Sequence, residues 1–228
     1  MPKLRAVLLD AGGTLIHPDH EFILGRLAEE GVEADATAYE EARRRADAVV
    51  GDILRSDDPG DDDTRIHAWF VTLLTVLGLP GERLAAVGED IRMRHEEDAL
   101  WIRPVPGTLE MLRGLRAAGL RLGVISNADG RVARYLANAG LADEFEIILD
   151  SGELGIEKPD PRIFQLALER LGVRSEEAVY VGDTWEVDVV GAREAGLRPI
   201  YLGAPRDGVR CIAGILELPA ALDIEPSR

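Results

Sequence analysis

The sequence predicts an α/β protein: a doubly wound, Rossmann-like parallel sheet carrying an inserted all-helical domain. Three observations predict it. Short Val- and Leu-rich runs recur, each ending at Gly or a polar residue and each followed by a helical pattern. That alternation is broken once, between residues 17 and 103, where helical periodicity alone is found. Apolar residues make up 46% of the 228, enough for a full core. The expected organisation is an α/β core from residues 1–16 and 104–228, with a helical domain over 17–103.

The first run, Leu4-Arg5-Ala6-Val7-Leu8-Leu9, stops at one carboxylate, Asp10, followed by Ala11-Gly12-Gly13-Thr14-Leu15. A buried parallel strand emptying into a Gly-rich loop fits this pattern, and open α/β sheets bind ligands at the carboxyl ends of such strands. Taken singly, Asp10 could equally be a turn residue. In the helical block, Ile66, Trp69, Phe70, Leu73, Leu74 and Leu77 follow 3.6-residue spacing. A second stripe runs from Tyr39 through Ala42, Ala46, Val49 and Val50 to Ile53, and a third joins Leu84, Val87 and Ile91. Breaks at Gly31, at Asp57–Asp63 and at Gly78–Gly81 divide the block into three or four helices of an antiparallel bundle. The acidic run Asp57–Asp63 lacks the Gly and terminal Glu placements of a calcium loop and reads as a solvated turn.

The alternation resumes at Pro104. A helix from Thr108 to Gly119 leads into Leu120–Ile125, a strand ending at Ser126-Asn127. A helix over 129–139 precedes the strand Phe145–Leu149. Asp160-Pro161 reads as an N-cap and first-turn proline, opening a helix with Ile163, Phe164, Ala167 and Leu171. The strand Ala178–Val181 ends at Gly182-Asp183, a helix runs to Gly196, and Pro199–Leu202 is the last patterned strand. Residues 203–228 carry little pattern.

A net charge of −16 argues against nucleic-acid and anionic-membrane partners, which reward basic surfaces. A small phosphate substrate remains compatible, because a bound divalent cation reverses the local sign. The lone Cys211 rules out an intrachain disulfide, no apolar run reaches membrane-spanning length, and the first residues lack signal-peptide features. A cytoplasmic protein is expected. Of 26 basic residues only Lys3 and Lys158 are lysines, which singles out Lys158 for a task a guanidinium would not serve.

Three predicted strands thus end in polar residues at one sheet edge: Asp10, Ser126-Asn127 and Gly182-Asp183, with Asp188 one turn further on and Lys158 in a loop before a helix. Carboxylates gathered together call for a cation, and hard oxygen donors suit Mg²⁺. A hydroxyl, an amide and an ammonium suit phosphate oxygens, and a carboxylate beside the metal can attack phosphorus.

In this order the residues resemble the motifs of the haloacid dehalogenase-like hydrolase superfamily, whose phosphatases carry a helical cap between the first and second motifs. The first motif, Asp-x-Asp-x-Thr after a strand, corresponds to Asp10–Thr14; the strand-end Ser or Thr to Ser126; the Lys, often before Pro, to Lys158-Pro159; and Gly-Asp-x-x-x-x-Asp to Gly182–Asp188. The resemblance implies Asp10 as nucleophile through an aspartyl-phosphate. It further implies Mg²⁺ held by Asp10, the Gly12 carbonyl, Asp183 and Asp188, with Lys158 as a catalytic residue. It gives a phosphate site of Thr14, Ser126, Asn127 and Lys158, and a small phosphorylated metabolite as substrate. An exposed cap face would allow two chains to pair. One position departs from the pattern. The phosphatases' second Asp, which protonates the leaving group and then activates water, is Gly12 here; the loss of such help is worth about 10²–10⁴ in rate. The expectation is a weakened phosphatase, with His17 and Asp19 as candidate replacement acids. The alternative is an impaired protein that binds phospho-ligands in a regulatory role. Dehalogenation is disfavoured by Asp183, and phosphonate cleavage by the absence of any lysine between residues 17 and 103.

Overall fold

The structure, a computed structural model, describes residues 3–224. These divide into two compact units: the segment up to His17 together with Ile102 onward, and Pro18–Trp101.

The first unit is built on a six-stranded parallel sheet. Its strands are β1 (Ala6–Leu9), β4 (Arg121–Ser126), β5 (Ile147–Asp150), β6 (Ala178–Gly182), β7 (Arg198–Leu202) and β8 (Arg210–Ile212), in the order β5-β4-β1-β6-β7-β8. Every pairing is parallel, with Leu8 beside Gly123 on one side and Tyr180 on the other. Chain order runs outward from β1 to one edge and then returns to β6 to build the other. The order therefore reverses between β1 and β6, and the crevice at such a switch point is where ligands bind in these sheets. All four residues of β1 and all five of β6 are buried, as strands covered on both faces require.

The helices α5 (Thr108–Ala117), α6 (Val132–Asn138) and α7 (Ser151–Leu154) precede α8 (Pro161–Leu171), which starts at an Asp160 N-cap accepting from the Arg162 N–H at 2.9 Å. Its stripe of Ile163, Phe164, Ala167 and Leu171 is fully buried against Leu8, Ile125 and Tyr180. The segment after β6 does not begin as the expected ordinary helix. Trp185–Val189 is wound as a π turn before α9 (Val190–Glu194). Within this turn the Asp188 carboxylate accepts from the Thr184 N–H at 2.9 Å, while its own N–H donates to the Thr184 carbonyl at 2.7 Å. Wide turns of this kind recur at functional sites.

Strand β8 lies in the stretch that carried little pattern; three residues at a sheet edge give too short a period to read. The same holds for β2 (Ile16–Pro18) and β3 (Trp101–Pro104), which pair as a two-stranded ribbon where the chain leaves and re-enters the first unit.

The second unit is helical: α1 (His20–Glu29), α2 (Ala36–Leu54), α3 (Asp62–Val76) and α4 (Leu84–Asp98). Asp35 and Asp61 cap α2 and α3, accepting from the N–H groups three residues on. Ile23, Leu27, Ala42, Trp69, Leu73 and Val87 centre its core. Two members of the sequence stripes are exposed, Ile66 at 40% and Val49 at 36%. On α3 the neighbouring Arg65 is buried instead, because its guanidinium donates to the carbonyls of Pro59 and Gly60 at 3.3 and 2.7 Å. No helix among the described residues is long and apolar enough to cross a membrane.

Candidate active site

The first unit brings Asp10, Lys158, Asp183 and Asp188 together at the switch point. Asp10 follows β1 directly and is held by its N–H donating to the Val181 carbonyl of β6 at 2.8 Å. Residues 11–16 then fold back tightly, with the Leu15 and Ile16 N–H groups both donating to the Ala11 carbonyl. Gly13 has φ +77°, and a Cβ there would lie 2.3 Å from an Asp183 carboxylate oxygen. Glycine is thus required both by conformation and by the approach of the facing carboxylate. Gly182 is required by proximity alone, since a Cβ would fall 2.3 Å from the carboxyl carbon of Asp188.

Lys158 is the centre of the arrangement. Its side chain is 2% exposed, and Nζ donates to Asp10 Oδ1 at 2.6 Å, Asp188 Oδ1 at 2.8 Å and the Tyr180 hydroxyl at 2.8 Å. Burial alone would push this ammonium down, but the Asp10 and Asp188 carboxylates more than offset it and hold its pKa above the ordinary lysine value. Asp10 goes the other way for an acid. Burial pushes it up to about 6, Lys158 opposing and Asp188 adding to the rise. Tyr180 is likewise raised well above 10.0, first by burial and then by the charges of Asp188 and Asp10, and so remains a neutral phenol.

One carboxylate oxygen from each of Asp10, Asp183 and Asp188 lies within 4.8 Å of the others. Three carboxylates against one ammonium leave negative charge in a largely buried site, a combination that a divalent cation relieves. The donors are all hard oxygens, which fits Mg²⁺. Thr14 is fully buried and its hydroxyl donates to Asp183 Oδ1 at 3.3 Å, so its recorded bond orients a carboxylate. Asn127 is also engaged by the protein: its amide nitrogen donates to the Lys158 carbonyl at 2.9 Å, and its amide oxygen accepts from the Lys158 N–H at 2.8 Å. Both were expected at the phosphate site, as contacts or as supports, and the bonds they make here hold Asp183 and the Lys158 backbone. Ser126 ends β4 at 4% exposure, and its hydroxyl has no protein partner among the described residues. Gly12 is half-buried and bridges to Ile16 within the tight loop.

Tyr180 was missed by sequence reasoning. Its only signal was a polar tip inside an otherwise apolar strand, two residues before Gly182.

A family model described as haloacid dehalogenase-like hydrolase matches residues 4–196. The chain belongs to the haloacid dehalogenase-like hydrolase family. Its relatives include haloacid dehalogenase-like hydrolase domain-containing protein 3 of Homo sapiens, 29% identical over 90% of this chain and 84% of that protein. The glyceraldehyde 3-phosphate phosphatase of Methanopyrus kandleri is 32% identical over 85% of this chain and 82% of its own. Among solved structures, a haloacid dehalogenase-like phosphatase from Thermococcus onnurineus is similar with a TM-score of 0.60 at 26% identity. The match covers 98% of this chain and all of that one. As a haloacid dehalogenase-like hydrolase, the protein has a helical insert between β1 and β4, and this is the second unit described above.

The remaining candidates divide between the units. His17 belongs to the first and is half-buried. Asp19 belongs to the second, 6% exposed, with Arg94 Nη2 at 3.9 Å from its carboxylate. Trp69 and Trp101 pack with the helical core, and the Trp69 indole N–H donates to Asp47 at 2.7 Å.

Proposed function

We propose that the protein is a Mg²⁺-dependent phosphatase of small phosphate monoesters, using Asp10 as nucleophile and working without the family's usual general acid. The observation that carries this reading is the Lys158 ammonium bonded at once to Asp10 and Asp188, with Asp183 alongside. Asp10 forms a bond to phosphorus as the ester P–O bond breaks, and the departing alkoxide takes a proton from solvent water. Water then attacks the aspartyl-phosphate, releasing phosphate and restoring the carboxylate. Lys158 holds Asp10 as the anion and aims it; Ser126 offers its hydroxyl to the transferring phosphoryl group. Asp10, the Gly12 carbonyl, Asp183 and Asp188 would hold Mg²⁺, whose charge stabilises the phosphoryl oxygens. Thr14 and Asn127 serve by fixing Asp183 and Lys158. The Methanopyrus relative supports a short phosphorylated metabolite as substrate, so glyceraldehyde 3-phosphate heads the panel to be tried. The single Cys211 fits a reducing, cytoplasmic setting.

Gly12 favours a second reading, a site that binds phosphorylated ligands and turns them over poorly or not at all. One experiment separates the two. Esters with good and poor leaving groups are assayed with Mg²⁺ and with EDTA, beside Asp10→Asn and Gly12→Asp. A phosphatase lacking its acid gives metal-dependent turnover that needs Asp10 and falls steeply for poor leaving groups. Gly12→Asp then raises the poor substrates most, within the roughly 10²–10⁴-fold range of general acid catalysis. Alanine at His17 or Asp19 cuts turnover at least about tenfold if either supplies a proton. No turnover in any arm leaves the binding role, and turnover of a haloacid in EDTA would mark a dehalogenase.

A further inference from the structure

We infer that Tyr180 is a positioning residue of this site: its hydroxyl fixes the Lys158 ammonium and thereby aims the Asp10 carboxylate. This rests on the phosphatase reading above for its kinetic consequence, but not for its geometry.

A lysine side chain ends in a compact ammonium on a flexible four-carbon stem, with three hydrogens free to rotate. Two carboxylates define only two of the three directions. The third is defined here by the Tyr180 hydroxyl, 2.8 Å from Nζ. Accepting from Lys158 leaves that hydroxyl one proton to give, and two acceptors lie in reach: Asp188 Oδ1 at 3.1 Å and the Ile125 carbonyl at 3.2 Å. One oxygen therefore ties the lysine to Asp188 and to the strand residue preceding Ser126.

The hydroxyl itself has little freedom. Tyr180 is fully buried on β6, its ring edge-on to Phe164 with centroids 5.0 Å apart, and its Cα is in register with Leu8 of β1. Its ring cannot follow the lysine, so the lysine must come to it. Without the hydroxyl, one ammonium hydrogen would face an apolar wall in a buried site, and the ammonium would turn to find another acceptor. Since Nζ is 2.6 Å from Asp10 Oδ1, that turn changes the direction of the attacking carboxylate. Small misplacements of a reacting group cost large factors in rate.

The test compares wild type, Tyr180→Phe and Phe164→Leu. The first change removes one oxygen and keeps the ring; the second loosens the same packing and keeps the hydroxyl. Two readouts are taken well below each variant's melting temperature. One is kcat and KM for ester hydrolysis with Mg²⁺. The other is the rate at which Lys158 reacts with an amine-acylating reagent, followed by peptide mass against Lys3, the chain's other lysine. Tyr180→Phe is expected to lower kcat at least about fivefold with KM within about twofold. Lys158 should also react at least about threefold faster relative to Lys3, as its buried bonding is weakened. Phe164→Leu, which loosens the ring without removing its oxygen, should change both by less than Tyr180→Phe does. Wild-type kcat and wild-type Lys158 protection in Tyr180→Phe would overturn the proposal, as would an equal kcat loss in Phe164→Leu. If the wild type hydrolyses no ester, the phosphatase reading has failed, and the Lys158 reactivity alone decides whether Tyr180 holds the lysine.

Discussion

Asp10 carries its charge at a cost, and the cost has a direction that pH can read. Burial holds its carboxyl at about 6 against an ordinary 3.8, with Lys158 only partly compensating. The folded protein therefore binds this proton more tightly than the unfolded chain does. The stabilising contribution is complete below 3.8 and is lost as pH rises through about 6. Metal-free wild type should accordingly lose stability relative to Asp10→Asn across that window, measured as urea midpoints at a series of pH values. Parallel curves for the two proteins would mean that the lysine compensates fully. At this scale the sequence named the side chains that the fold gathers, but not the bonds they make. Thr14 and Asn127 carry the hydroxyl and amide expected of phosphate ligands, yet their bonds go to Asp183 and to the Lys158 backbone. Residue type fixes what a group can bond, and only its neighbours fix what it does bond.

Single elements are held to one another by similar local chemistry. The helix α5 (Thr108–Ala117) is tied to the short turn Ala142–Glu144 by one carboxylate. Glu144 is 6% exposed and accepts from Arg113 Nε at 3.0 Å and Arg116 Nη1 at 2.6 Å. The Arg116 hydrogen bond, ahead of Arg113, holds its carboxyl below the usual 4.5. A depressed acid contributes above its unfolded value and loses that contribution as pH falls through the folded one. Glu144→Gln should cost about 1 kcal/mol at neutral pH, since both arginines are largely solvated. Denaturant midpoints should converge with wild type on acidification; a gap that persists at low pH would assign the cost to packing. Element boundaries were legible wherever a cap or glycine marks them, as at Asp160-Pro161. They were not legible in the π turn, where no side chain caps the start at Thr184. Ile66 misled for a related reason: periodicity counts apolar residues, and here Arg65 satisfied its donors locally and took the buried place.

For the molecule as a whole, three carboxylates clustered against one ammonium would make the proposed Mg²⁺ binding a stability event. Saturating Mg²⁺ should raise the melting temperature, with about 2.7 kcal/mol expected at one hundred times its dissociation constant. Asp183→Asn should abolish most of that rise, followed by thermal unfolding with and without EDTA. A wild-type melting point indifferent to Mg²⁺ would remove the metal from the proposed function.

The sequence by itself determined the α/β class, the helical insert and the identity of the four motif segments. Each of these is written in local pattern: period, strand length, and which residue stands where an apolar run ends. The tertiary structure decided what those segments do to one another. Lys158 meets Asp10 across 148 positions and Tyr180 across 22, while Tyr180 reaches Ile125 across 55. Contacts of that span are set by strand order, and the reversal between β1 and β6 alone brings them to one place. A hydroxyl in the middle of a buried strand acquires a task only when the fold puts a buried cation above it.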